Sequence, residues 1–328
     1  MNIVEKFIQN AQHKPARLVY PEAKDPRILE AAVKVYEQGI AQPILIGDPN
    51  EVGAIAKGLN LQLEGIEIID SKTDARLDTY AQAYANKRDL REAIAKKLVR
   101  KPLSFGGMMV SQGAADGMVA GVATATSIVI QTATLTVGFQ EGLSTPSSFF
   151  IMIIPEFQGQ QDKIFIFADS AVNIQPSAQQ LAEIAIASGT NARALLGIDP
   201  KIAFLSFSTK GSASHGDSDK VLEALKIARQ INPEFDMDGE LQLDAAIIKK
   251  VASKKVGESS VAGQANVLVF PDLDAGNIGY KLVQYMANAK AIGPILQGFA
   301  KPVNDMSRGA SVEDLIAVSA ITSVQAKG

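Results

Sequence analysis

The 328-residue chain has no cysteine, no tryptophan and only two histidines, His13 and His215. Without cysteine there is no protein thiolate to act as nucleophile or soft metal ligand, no redox disulfide and no disulfide framework. Two imidazoles cannot make a zinc site of several histidines, so no metal is expected, and a histidine-based triad has only two places to look. No run approaches the ~18–20 apolar residues that span a bilayer. The amino-terminal MNIVEKFIQNAQHK reads as an amphipathic helix of mixed charge, not as a basic segment leading into an apolar signal region. A cytoplasmic protein without a membrane partner is the expectation.

An excess of one charge is also missing. Lys and Arg total 32 against 35 Asp and Glu, so the basic surplus of a nucleic-acid binder is absent. No G-x-x-x-x-G-K-[ST] stretch occurs, and no G-x-G-x-x-G follows a strand; Gly106 and Gly107 fall in a helical stretch. P-loop nucleotidases and Rossmann-type dinucleotide enzymes are thereby disfavoured. His215 stands in a Ser/Gly-rich loop, where a solvated side chain is the better reading than a triad member.

What remains is ample core material: 47% hydrophobic against 20% charged residues, enough for about two domains. Short apolar runs alternate with helical periods throughout. Arg17–Pro21 precedes Asp25-Pro26-Arg27, an Asp cap with Pro at the first helical position, after which Ile28, Ala31, Ala32, Val35 and Tyr36 make one buried stripe. Pro43–Gly47, Ile66–Asp70 and Gly117–Gly121 read as strands, with one charged helical stretch from about Asp74 to Arg100. The second half repeats the rhythm with strands at 149–155, 164–167, 202–205, 266–270 and 294–296, and with helical intervals at 177–196, 218–231, 243–251, 278–287 and 312–324. Strands apolar on both faces and separated by helices describe an α/β protein with mostly parallel sheets. A connector at Gly138–Gly142 before the strong strand at Phe149 puts a domain boundary near residue 143.

Open α/β sheets bind ligands beyond the carboxyl ends of their strands, so the loops there carry the chemistry. The richest is Lys301–Leu315, with Ser307, Arg308 and Gly309 before a helix start. A guanidinium fork with helix amino-terminal N–H groups makes a phosphate or oxyanion cradle. Ser311 and Asp314 equally match the S-x-x-D variant of a capping box, and on pattern alone that plainer account is favoured. Asp169-Ser170 and the hydroxyls around Lys210 could face an anion or be ordinary turns. Asp238–Asp244 is acidic, fits no metal spacing and reads as an interface or turn.

Taken together, Ala300–Gly309, Phe167–Ser170, Phe207–Ala213, Asp238–Gln242, Phe270–Leu273 and Gly276–Ile278 resemble the blocks of the phosphate acetyltransferase (phosphotransacetylase) family, in the family's order and across essentially the whole chain. The resemblance implies two α/β/α domains like those of isocitrate and isopropylmalate dehydrogenases, residues 1–143 plus 300–328 forming the first and 144–299 the second. It also implies an active-site cleft between domains, and a homodimer. The implied reaction interconverts acetyl-CoA and phosphate with acetyl phosphate and CoA, by direct thiolate attack in a ternary complex. Coenzyme A is then a substrate and no cofactor is needed. By resemblance Asp314 is the base, Ser307 and Arg308 hold the phosphoryl group and the oxyanion, and Arg88 lies along the CoA path, with Ser170, Lys210 and Asn304 in the substrate-binding set. One departure stands out. Where the family shows His-Ser-Ser/Thr-x-Asp-Thr-x-Arg-Pro, the chain reads Ala123–Thr132, with Gln131 in place of the arginine. A neutral amide supplies no charge-assisted phosphate bond. That substitution keeps two alternatives beside the acetyltransferase: an enzyme for another short acyl group such as propionyl, and a non-catalytic module that binds CoA or acyl phosphate.

Overall fold

A computed structural model describes residues 3–327. In chain order the elements are α1 (Ile3–His13), β1 (Ala16–Tyr20), α2 (Pro26–Glu37), β2 (Ala41–Ile46), α3 (Pro49–Gly58), β3 (Glu67–Ile69), α4 (Leu77–Arg88), α5 (Glu92–Val99), α6 (Pro102–Ser111), β4 (Gly117–Ala120) and α7 (Thr126–Thr136). They continue with β5 (Ser147–Phe157), β6 (Gln160–Ala168), α8 (Ala178–Asn191), β7 (Lys201–Leu205), α9 (Gly216–Ile231), β8 (Asp236–Leu241), α10 (Leu243–Ile247), α11 (Lys249–Lys255), β9 (Val267–Val269), α12 (Leu273–Met286), β10 (Lys290–Gln297), β11 (Val303–Asp305) and α13 (Val312–Gln325). The chain divides into two compact units, Met1–Gln140 with Phe299–Gly328, and Glu141–Gly298. Among the described residues no helix is long and apolar enough to cross a membrane.

In the first unit five parallel strands run in the order β11-β4-β1-β2-β3. The α2 start follows its sequence signal: the Asp25 carboxylate accepts from the Arg27 N–H, Pro26 takes the first helical position, and Ile28, Leu29, Ala32 and Val35 are buried. α13 packs on α1, α2 and the sheet, while α6 packs on β1 and β4 and gathers α4, α5 and α7. The single helix expected over 74–100 is two, because Asp89 adopts a left-handed conformation (φ 51°) and closes α4. Aspartate tolerates that conformation better than most residues.

The second unit has six strands in the order β10-β5-β6-β9-β7-β8. β6, β9, β7 and β8 are parallel neighbours. The strongest strand of the sequence is not part of that parallel set: β5 pairs antiparallel with both β6 and β10. Gln158 and Gly159, at φ 51° and 77°, join β5 to β6 in a two-residue turn. Positive φ at both positions matches the right-handed twist of a hairpin, so no crossover helix is needed. Phe150, Met152, Phe165, Phe167, Leu268 and Phe270 form the core here, with Tyr280 of α12 stacked on Phe150 at 4.1 Å between ring centroids. Burying each such side chain contributes roughly 1.5–3 kcal/mol.

Asp238–Asp244, expected as a turn or interface, supplies the end of β8 and the start of α10 instead. Asp238 and Glu240 are buried and accept hydrogen bonds, though Glu240 Oε2 has no partner among the described residues, while Asp244 is exposed. Asp238 accepts from the Lys210 ammonium, the Ser259 hydroxyl and the Gly239 N–H, and Glu240 accepts from the Ser208 hydroxyl and the Gly211 N–H. Those partners let a strand that looks polar sit inside.

Candidate active site

In the first unit β1, β2 and β3 are laid down in one direction and β4 and β11 in the other, so the strand order reverses between β1 and β4. The carboxyl ends flanking such a reversal are where open α/β sheets hold ligands. The segments after β1 (21–25), after β4 (121–125) and after β11 (306–311) leave the sheet at this edge.

Glu22 ties the first two together. Its Oε2 accepts the N–H groups of Gly121 (2.8 Å) and Val122 (3.0 Å), and its Oε1 those of Ala123 (3.1 Å) and Thr124 (2.7 Å). Four converging N–H groups form a concavity that suits a carboxylate. Gly121 is required for it: φ is +104°, and an added Cβ would come within 2.1 Å of Asp305 Oδ1. Arg27 ties in the third loop. It forks onto Asp25 (Nε–Oδ1 3.0 Å, Nη2–Oδ2 2.8 Å) and donates to the carbonyls of Arg308 (2.7 Å), Ala310 (3.0 Å) and Val122 (3.2 Å). The hydrogen bond from Arg27 holds the Asp25 carboxyl below the usual carboxylate range.

The Met306–Ser311 loop held in this way presents Ser307 and Arg308 to solvent. Among the described residues the Ser307 hydroxyl accepts one hydrogen bond, from the Gly309 N–H at 3.2 Å. Among the described residues the Arg308 side chain has no hydrogen-bond or ion-pair partner, although its backbone carbonyl is anchored. Asp314 completes a capping box. Its Oδ2 accepts from the N–H (3.0 Å) and hydroxyl (2.9 Å) of Ser311, and its own N–H donates to Ser311 Oγ (3.1 Å). The carboxylate is exposed at the start of α13, and Oδ1 takes part in none of these bonds. The two readings of Ser311 and Asp314 are therefore compatible.

Beside Glu22 opens a cavity of about 520 Å³. Tyr84, Leu98, Leu103, Ile128 and Leu135 give it apolar walls, while Lys101, Thr124, Gln131 and Thr132 supply polar groups. Gln131 thus lines a cavity on the exposed side of α7. Arg88 lies behind that wall, where its Nε donates to Leu135 O at 2.9 Å and Nη2 to Thr134 O. Lys87 donates to the carbonyls of Thr136 (2.9 Å) and Val137 (3.1 Å), and burial holds its pKa below the usual lysine range. Cations at a helix carboxyl terminus answer its unsatisfied carbonyls and its dipole. Arg88 is accordingly a helix cap first, with Nη1 left unengaged among the described residues.

Two expected substrate contacts are buried. Asn304 is fully buried in β11 and donates to Thr322 Oγ1 (2.8 Å) and Gln325 Oε1 (2.9 Å) of α13, so it fastens the returning helix to the sheet. Ser170, in the second unit, is also fully buried, packed against Gly276, with its hydroxyl unpartnered. Neither side chain is exposed to solvent. Lys210 is half-exposed in the second unit, but its ammonium is engaged by Asp238 and by Gly239 O (3.0 Å). Burial raises the Asp238 carboxyl, yet the bonds from Lys210, Ser259 and Gly239 outweigh it and hold the group below its usual range.

Sequence reading missed Glu22, Arg27, Thr126 and Asp305. The available signal was position: Glu22 and Asp305 directly follow or close strands, where ligand-facing loops begin. Among the described residues no group of three or more His, Asp or Glu could hold a metal ion.

Residues 2–323 match the family model described as phosphate acetyl/butaryl transferase. The phosphate acetyltransferase of Thermoanaerobacterium thermosaccharolyticum is 46% identical, over the full length of both chains. A phosphotransacetylase structure from Streptococcus pyogenes is 40% identical and superposes with a TM-score of 0.93, covering 99% of this chain and 98% of that one. A 4-hydroxythreonine-4-phosphate dehydrogenase from Burkholderia phymatum, 13% identical with a TM-score of 0.56 over 94% and 98% of the two chains, shares the fold.

Proposed function

This chain belongs to the phosphate acetyl/butaryl transferase family, and on that premise we propose that its 306–311 loop and the first turn of α13 carry the transfer. The reaction is acetyl-CoA plus phosphate interconverting with acetyl phosphate plus CoA. The observation that carries the assignment is the solvent-facing guanidinium of Arg308, unpaired among the described residues, on a loop whose main chain Arg27 holds in place.

In the direction of acetyl-CoA synthesis Arg308 and Ser307 receive acetyl phosphate. Asp314 takes the proton of the CoA thiol, whose pKa resembles the roughly 8.5 of a free thiol. The sulfur attacks the acetyl carbonyl carbon, and charge moves onto the carbonyl oxygen, where the guanidinium and hydroxyl stabilise it. The carbon–oxygen bond to phosphate then breaks, phosphate leaves with that electron pair, and the proton on Asp314 passes to the departing phosphate or to water. No protein nucleophile is required, in keeping with a chain that has no cysteine.

We assign the cavity beside Gln131 to part of CoA. Its apolar walls suit an alkyl-amide chain, and Lys101 in its lining is a cationic donor. Crossed initial-rate measurements test direct transfer: the lines should converge, whereas parallel lines would mean an acyl-enzyme. In the same assay Gln131→Arg should lower the KM for CoA several-fold and leave that for acetyl phosphate alone; an unchanged CoA KM removes Gln131 from the site.

The homodimer reading finds support on α12, where Ile278, Leu282, Tyr285 and Met286 are each at least half exposed at helical spacing. Exposed Asp274 and Lys281 lie beside this stripe with opposite charges, and apolar patches of this kind are seldom left in water. Light scattering should give about twice the 34.8 kDa chain mass, and Leu282→Asp should halve it; a wild-type monomer refutes the assignment.

A further inference from the structure

Asp305 closes β11 only two residues before Ser307, and it is 3% exposed. One carboxylate oxygen accepts from the hydroxyl of Thr126, the first residue of α7. The other is buried with no partner, pressed against Gly121. The ionisable groups around it offer little compensation. Glu22, from the segment after β1, places a like charge nearby. Asp25 and Arg27 follow on that segment, but the guanidinium is used up on Asp25 and on the carbonyls of Val122, Arg308 and Ala310. β4 and α7 contribute no ionisable side chain, and Arg308, Glu313 and Asp314 are solvent-exposed.

A buried carboxylate with an orphaned oxygen and no bonded cation weakens a fold, and a neutral asparagine could hold Thr126 with less cost. Groups kept ionisable in such surroundings cluster at functional sites. The charge here sits where two site loops meet: the hydrogen bond joins the root of the Ser307–Arg308 loop to the start of the helix that carries Gln131.

We propose that Asp305 is a positioning residue of the acyl-transfer site: its ionised carboxylate fixes the Ser307–Arg308 loop against α7, and activity falls when it takes up a proton. Burial is the main reason the proton is held, with the Thr126 hydrogen bond opposing it and the Glu22 charge assisting. Together they lift the carboxyl to about 6. A carboxyl raised in the folded state lends stability at low pH that is lost as pH rises from the usual carboxylate range through that value.

The test is kcat/KM for acetyl phosphate between pH 5 and 7.5, with Tm recorded alongside. Substrate ionisations are common to all variants, so only differences between them count. Wild type should lose activity about tenfold between pH 7.5 and pH 5, following the fraction ionised. Asp305→Asn should be flat to within about twofold, at the level wild type reaches at pH 5, with a Tm at pH 7.5 no lower than wild type. Thr126→Val, which removes the opposing hydrogen bond, should move the wild-type limb to higher pH, and Thr126→Ser should restore it. A limb unmoved in Asp305→Asn overturns the proposal. If that variant does not fold, a limb unmoved in Thr126→Val does so. The proposal rests on Ser307 and Arg308 carrying the transfer, and full activity in Arg308→Ala would sink that reading separately.

Discussion

Arg308→Ala is expected to lower kcat by about 10²- to 10³-fold, the usual cost of about 3–4 kcal/mol for losing an oxyanion donor. The substitution is clean because the loop does not depend on the side chain. Arg27 holds the carbonyls of Arg308 and Ala310, and the Arg308 side chain itself touches no partner among the described residues. The Tm should therefore stay at the wild-type value while turnover collapses. Arg308→Lys should recover only part of the loss, since an ammonium keeps the charge but not the two-pronged geometry. Steady-state rates together with a melting curve decide it, and wild-type turnover in the alanine variant would refute the assignment.

Asp314→Asn has the second largest expected effect, and here the cap and the chemistry can be pulled apart. Only Oδ2 of Asp314 engages Ser311 in the capping box. The amide oxygen of asparagine can accept the same two bonds, so the loss of stability should not exceed about 1 kcal/mol. An amide cannot take the thiol proton, and losing a general base typically lowers turnover about 10²- to 10⁴-fold. Ser311→Ala is the mirror control. It removes the hydroxyl that receives the Asp314 N–H, at about 1 kcal/mol, and leaves the carboxylate in place. Stability loss with retained activity in Ser311→Ala, against activity loss with retained stability in Asp314→Asn, establishes Asp314 as the base. Full activity in Asp314→Asn would leave it a helix cap alone.

Much of the architecture was legible because its signals are local. Asp25-Pro26 starts α2 where it stands in the sequence, Ser311 and Asp314 form the capping box that their spacing indicates, and apolar runs between helical periods mark most of the strands. Two strands escaped notice, β8 and β11, and both carry acids or amides. Asp238 and Glu240 sit in β8 because Lys210, Ser208 and Ser259 come from other parts of the second unit to satisfy them. The hairpin of β5 and β6 was also hidden, since an apolar run by itself does not say whether its neighbour is parallel.

The candidate site divides in the same way. Ser307, Arg308 and Asp314 lie within eight residues, and their exposure agrees with a reading made from the motif. Asn304 and Ser170 belong to equally suggestive motifs, yet both side chains are buried. Residue type announces what a polar side chain can do, whereas burial decides whether a ligand can reach it. Glu22, whose carboxylate gathers N–H groups about a hundred positions away, bears no local mark of that role.

By itself, then, the sequence determined the α/β class and the kinship with phosphate acetyltransferases, and it pointed to the short segment proposed to hold an acyl phosphate. Those rest on periodicity, caps and contiguous motifs, which act over a few residues. The tertiary structure decided which polar groups face solvent, which cations are already committed, and that Asp305 lies buried beside Glu22 and Thr126. Such facts follow from hydrogen bonds and desolvation between segments up to about 280 residues apart, as between Arg27 and Arg308. They become visible only when the chain has brought those segments together.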